Sequence, residues 1–90
     1  MRVDDHAARV LASLERAIAG YRSGTSSVQD LQWAVATAAG ALDNTYADLV
    51  EVLRRVDSDL EMASYAMPAD EERPFVLSRC DEMTDAIARA

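Results

Sequence analysis

Six carboxylates crowd the nineteen-residue stretch VDSDLEMASYAMPADEERP, residues 56–74. Carboxylates at this density could hold a metal, run acid–base chemistry, imitate a polyanion, or keep helices in water. The opening Asp57-Ser58-Asp59-Leu60-Glu61 has the look of a calcium loop. Such a loop needs glycine at its sixth position and a bidentate glutamate at its twelfth. Those positions hold Met62 and Pro68, so the match fails. On a helix, Asp57 and Glu61 share a face while Asp59 points elsewhere. A di-iron bundle would need Glu-x-x-His motifs facing inward, and His6, near an expected helix start, is the chain's single histidine. The expectation is no metal and no cofactor.

Nucleophiles are as scarce. Cys80 is the one cysteine; it falls on an apolar stripe beside Val76 and Met83, with no Lys or His next to it. A reactive thiol needs an electropositive setting, and a buried one behaves as a small hydrophobe, so Cys80 reads as core. Paired carboxylates can split acid and base roles when burial separates their pKa values, but no spacing here places two of them in one pocket. Gly20, Gly24 and Gly40 are dispersed and form no phosphate-cradling loop. The sequence therefore reads as a binding protein and not an enzyme.

The elements that must position these residues are helices. Val3, Ala7, Val10, Leu14, Ile18 and Tyr21 recur at three- and four-residue steps, which predicts a helix from Asp4 to Tyr21. The segment RSGTSS breaks it, with Gly24 suited to the left-handed position after a helix end. Ser27 with Asp30, or Ser26 with Gln29, reads as a capping box opening a second helix over Val28–Leu42, striped by Val28, Leu31, Val35, Ala38 and Leu42. LDNT is the next break, and Thr45 with Asp48 repeats the capping pattern. Tyr46, Leu49, Leu53, Val56, Leu60, Ala63 and Met67 form the seam of a third helix, Tyr46–Ala66, which Pro68 ends. A fourth helix is expected to start between Asp70 and Pro74 and to run to Ala88, striped by Val76, Cys80, Met83 and Ile87. Proline is tolerated only in a first turn, which favours that start. No strand alternation and no repeat occurs. The fold class expected is all-α: one domain, residues 1–90, as a small antiparallel bundle of four helices. A three-helix core with a short docked C-terminal helix is the alternative.

Charge narrows the partners. Sixteen Asp and Glu face nine Arg, with no Lys, for a net charge of −7. Residues 1–45 hold five acids and four Arg, a net of −1, whereas residues 46–90 hold eleven acids and five Arg, a net of −6. This asymmetry disfavours direct nucleic-acid binding, which needs clustered positive charge, and disfavours anionic membrane surfaces. No apolar run approaches the roughly 20 residues of a membrane span, the N-terminus has no signal-peptide h-region, and a lone cysteine fits a reduced cytoplasmic setting. Much of the acidity has local reasons. Asp70, Glu71 and Glu72 suit the first turn of a helix, where each gains about 0.3–1 kcal/mol from the dipole. Asp48, Glu51, Arg55 and Asp59 line one face of the third helix, with Glu51 and Arg55 an (i, i+4) pair. The regional excess is left over.

Trp33 lies almost opposite the Leu31, Val35 and Leu42 stripe on the helical wheel, among Gln29, Ala36, Thr37 and Gly40. It reads in two ways. Either the second helix packs on both faces and buries it, which is the ordinary expectation, or it is an exposed anchor for a partner or a second copy.

The segments "AIAGYRSGTSSVQDLQWAV" (17–35) and "SDLEMASYAM" (58–67) carry a resemblance. A helix ends in Tyr21-Arg22-x-Gly24, a helix opened by Ser26 and carrying Leu31 follows, and a long helix later bears the Leu60-Glu61 pair before an acidic loop. The pattern resembles small bacterial proteins of the colicin-immunity-like kind. The resemblance covers about half the chain. It implies an all-helical acidic protein that binds and blocks a bacterial toxin, often a basic nuclease, through acids and aromatics on adjacent helices. Carried onto this chain it points to Glu61 with its neighbouring acids and to Tyr65, although no second tyrosine stands beside Tyr65.

The functional expectation is an acidic module that neutralises a basic protein partner, a toxin or a nuclease, through Asp57, Asp59, Glu61, Met62, Tyr65, Asp70, Glu71 and Glu72. Trp33 is a possible second interface, including that of a homodimer. Two alternatives stand beside it: a phage-encoded inhibitor of a host nucleic-acid-binding defence protein that works by acidic mimicry, and a homo-oligomeric helical scaffold.

Overall fold

Four helices account for nearly all of the chain in the computed structural model, which describes residues 4–42 and 44–90. They are α1 (Asp5–Ser23), α2 (Val28–Ala41), α3 (Ala47–Ala66) and α4 (Ala69–Arg89), with a 3-10 turn over Asn44–Tyr46 and no strand among the described residues. Val3, placed on the first stripe by its spacing, lies outside the described residues.

Local chemistry fixes most boundaries. Asp4 caps α1, its carboxylate accepting from the Ala7 N–H at 2.8 Å. Gly24 ends α1 with φ +83°, the left-handed geometry that glycine adopts without a Cβ penalty, and Thr25 N–H returns to the Gly20 carbonyl. Of the two capping boxes considered for α2, the Ser27–Asp30 pair forms, with both reciprocal bonds at 3.1 Å. The Thr45–Asp48 box expected for α3 does not set its start. Tyr46 takes the cap position without a side-chain cap bond, and its buried ring explains the preference: packing outweighs capping there.

The entry of α4 departs furthest from expectation. Met67 is extended, as a residue before proline should be. Pro68 is the cap, and its carbonyl accepts from the Glu71 and Glu72 N–H groups at 3.0 and 2.9 Å. The helix therefore starts at Ala69, and Pro74 lies inside it, beyond the first turn. Asp70, Glu71 and Glu72 occupy that first turn, where negative charge meets the positive end of the helix dipole.

The chain folds up, down, up and down. The start of α4 meets the end of α1, because Arg73 donates to the Tyr21 and Arg22 carbonyls at 3.4 and 3.0 Å. The start of α1 meets the end of α2, where His6 Nε2 lies 3.1 Å from the Ala41 carbonyl. Asp59 pairs with Arg79 and Arg55 with Glu82, so α3 and α4 run antiparallel. One hydrophobic core fills the centre. Leu14, Leu31, Val35, Leu53, Val56, Leu60, Val76, Cys80 and Met83 are its most deeply buried side chains, and they come from all four helices. The fourth helix is thus a full member of the bundle, and the three-helix alternative falls away. The α1–α4 seam is the most open of the four helix–helix contacts.

Candidate functional site

The core seam of α3, Leu49, Leu53, Val56, Leu60 and Ala63, is buried along its whole length. Helical geometry then forces Glu61, Met62 and Tyr65 onto the opposite side, and all three are exposed, Tyr65 at 85% and Met62 at 44%. Large apolar side chains are seldom this free of contact, and such exposure marks candidate recognition surfaces. Immediately beyond lies the α3–α4 connection, where Asp70 and Glu71 are exposed. The antiparallel bundle gathers Glu61, Met62, Tyr65, Asp70 and Glu71 at one end of the molecule, the end that also holds the α1–α2 loop.

Three of the residues singled out in the sequence sit differently. Asp59 is half-buried between α3 and α4 and accepts from Arg79 Nη1 at 3.4 Å. Asp57 is half-buried on another side of α3, with no arginine partner. Glu72 is half-buried near Tyr21. Burial pushes the Tyr21 hydroxyl above its ordinary pKa; the Arg73 guanidinium, 5.2 Å from the centre of its ring, opposes this, and the Glu72 charge reinforces it.

The arginines explain why the acids at this end stand uncompensated. Arg79 is held between Asp59 and Glu82 and over the Phe75 ring at 5.2 Å. Arg55 pairs with Glu82 across the α3–α4 seam and not with Glu51 one turn away on its own helix. Arg22 pairs with Asp81 at 2.7 Å and donates to Thr84. Arg73 is spent on the α1 carbonyls. The cations of this region join helices to one another, whereas Glu61, Asp70 and Glu71 are left facing water with no ion pair among the described residues. Arg73 and Arg79 were not visible as structural residues from sequence, because both partners lie on other helices.

Cys80 is fully buried, and burial pushes its thiol above the ordinary range, with Arg22 pulling weakly the other way. It packs in the core as its stripe implied. No group of three or more His, Cys, Asp or Glu side chains is placed to hold a metal among the described residues. Four shallow clefts mark the surface, and none is lined by any of the eight candidate binding residues. The largest, about 580 Å³, lies at the far end between the Asn44–Tyr46 turn and the end of α4, with Asp48 its single carboxylate. The acidic surface is therefore convex, a shape that meets another macromolecule more readily than it encloses a small one.

Trp33 is 76% exposed, so α2 does not bury its second face as the ordinary expectation held. The reason is that α2 packs only against α1 and α3, leaving the side with Gln29, Trp33, Ala36, Thr37 and Gly40 outside the bundle. No helix among the described residues is long and apolar enough to cross a membrane. Comparison with known proteins gave no match: no family model, no curated protein and no solved structure.

Proposed function

We propose that this chain is an acidic protein-binding module that neutralises a basic partner, a toxin or nuclease, in the manner its resemblance to colicin-immunity-like proteins implies. The observation that carries the reading is the end of α3 with the start of α4. There Tyr65 and Met62 stand exposed among Glu61, Asp70 and Glu71, and the nearby arginines are turned away into helix–helix contacts. Uncompensated carboxylates steer a cationic surface during encounter. An exposed tyrosine supplies apolar area with few rotatable bonds to immobilise. In this reading Tyr65 enters a depression on the partner, Met62 adapts to its wall, and the acids pair with Arg or Lys around the rim.

The test is co-expression with a basic toxin encoded beside this chain's gene, scored by growth. Rescue that weakens when Glu61, Asp70 and Glu71 are changed together to their amides, and that fails with Tyr65→Ser, supports the reading. Asp59 is left intact in that variant because it pairs with Arg79. Undiminished rescue after both changes defeats the acidic-surface mechanism.

A further inference from the structure

The outward face of α2 is the exception on a strongly charged molecule. From Leu31 to Leu42 the chain has no ionisable side chain, although 28% of its residues are charged and its net charge is −7. On this face Trp33 stands 76% exposed, beside a groove of about 370 Å³ that α2 forms with α1. Gln29, Trp33, Ala36 and Gly40 follow one another at steps of four, three and four, the spacing of a seam that meets another helix.

Gly40 adds an independent observation. It lies within α2, has no left-handed backbone, and a Cβ placed on it would meet nothing within 4 Å. Nothing in the chain's own packing calls for glycine there, and glycine inside a helix is unfavourable relative to alanine. A missing side chain on an exposed seam lets a second backbone come close.

Charge selects the occupant. A cationic partner gains nothing from an uncharged face when acids are presented elsewhere. A molecule that itself carries −7 is repelled by the acidic end and can land on the uncharged strip without juxtaposing like charges. A second copy is such a molecule. Orientation follows from the same argument: an antiparallel pairing sends the two acidic ends to opposite extremes of a body 40 Å long, several times the screening length of about 8 Å at physiological ionic strength.

We propose that the outward face of α2 is a self-association surface, pairing antiparallel with the same face of a second copy so that Trp33 of each lies over Ala36 and Gly40 of the other. This arrangement is isologous, closes on itself and leaves Tyr65 and its acids free.

The experiment is sedimentation equilibrium of the full chain from about 1 µM to about 1 mM, with fluorescence of Trp33, the one tryptophan. The mass should rise from 9.8 kDa towards twice that value. Trp33 emission should move to shorter wavelength, and acrylamide quenching should fall in step. Gly40→Gln, tolerated by the open space above it, and Ala36→Gln should each raise the dissociation constant tenfold or more while the far-UV circular dichroism spectrum stays unchanged. A chain that remains a monomer at 1 mM overturns the proposal, as does a dimer that both folded variants form equally well. Protection of Trp33 by added polyarginine, with the mass still that of a monomer, assigns the face to a basic partner and also overturns it.

Discussion

Replacing Pro74 with alanine should stabilise this protein, and the sign of the effect decides between two starts for α4. In the structure α4 begins at Ala69, which leaves Pro74 past the first turn with no N–H to offer the Asp70 carbonyl. A proline in a helix interior is about 3 kcal/mol less favourable than alanine. Two terms reduce the gain. Asp70 and Pro74 are both exposed, so water can reach the unsatisfied carbonyl, and alanine restores about 0.4–1 kcal/mol of freedom to the unfolded chain. A net gain of about 1–2 kcal/mol remains. For a domain of this size each kcal/mol moves Tm by roughly 4–8 °C, so a rise of about 5–15 °C is expected. Urea and thermal unfolding followed by far-UV circular dichroism would measure it, with the denaturant slope unchanged. If the helix began at Pro74, proline would sit where its missing N–H has no consequence, and Pro74→Ala would be neutral or slightly destabilising. That result would refute the assignment of α4 to Ala69–Arg89 and the contacts that Arg73 makes from its second turn.

Leu60→Ala, at a fully buried position of α3, should lower stability by about 2–5 kcal/mol in a urea titration, a large part of what a domain usually has. Arg79→Met should leave Asp59 and Glu82 facing each other without their shared cation, and a double-mutant cycle with Asp59→Asn should return a coupling of about 0.5–1 kcal/mol that shrinks in high salt. Alkaline pH should destabilise the fold. The Cys80 thiol and the Tyr21 hydroxyl have raised pKa values in the folded state, so the unfolded chain loses its protons first. Their stabilising effect is complete below the ordinary thiol value of about 9 and is lost as pH climbs towards the folded values. Thermal melts across pH 8–11 would show the decline, and Cys80→Val should make its onset shallower.

The helices themselves were legible because each keeps a strict apolar stripe over several turns, and Ser27, Asp30 and Gly24 punctuate them with side-chain chemistry that works locally. The start of α4 was not. Two prolines within one turn and a half of each other gave contradictory signals, and the deciding bonds reach from Arg73 to α1, more than fifty residues away in sequence. Trp33 was ambiguous for a different reason: small neighbours suit both a buried helix contact and an open face, and only the absence of a packed helix beside it decides. Among the acids, sequence spacing separated Asp59 from Asp57 and Glu61, but it could not foresee that Arg79 would claim Asp59, nor that Arg55 would prefer Glu82 on α4 to Glu51 on its own helix. Tyr65 was placed correctly because the α3 seam fixes what lies opposite it.

The loose α1–α4 seam gives this molecule a built-in clock. Closing it joins the first helix to the last, the contact with the greatest separation along the chain, so it is the natural place for the bundle to breathe. Cys80 lies on α4, fully enclosed, and is the chain's one thiol. A thiol-alkylating reagent therefore reads a single event: the moment α4 swings clear of its neighbours. When reclosing outpaces labelling, the rate of modification reports the population of that opened form. Anything that grips α4, a bound partner at its first turn included, should slow the labelling, so one mass measurement over time could follow binding without a fluorescent tag.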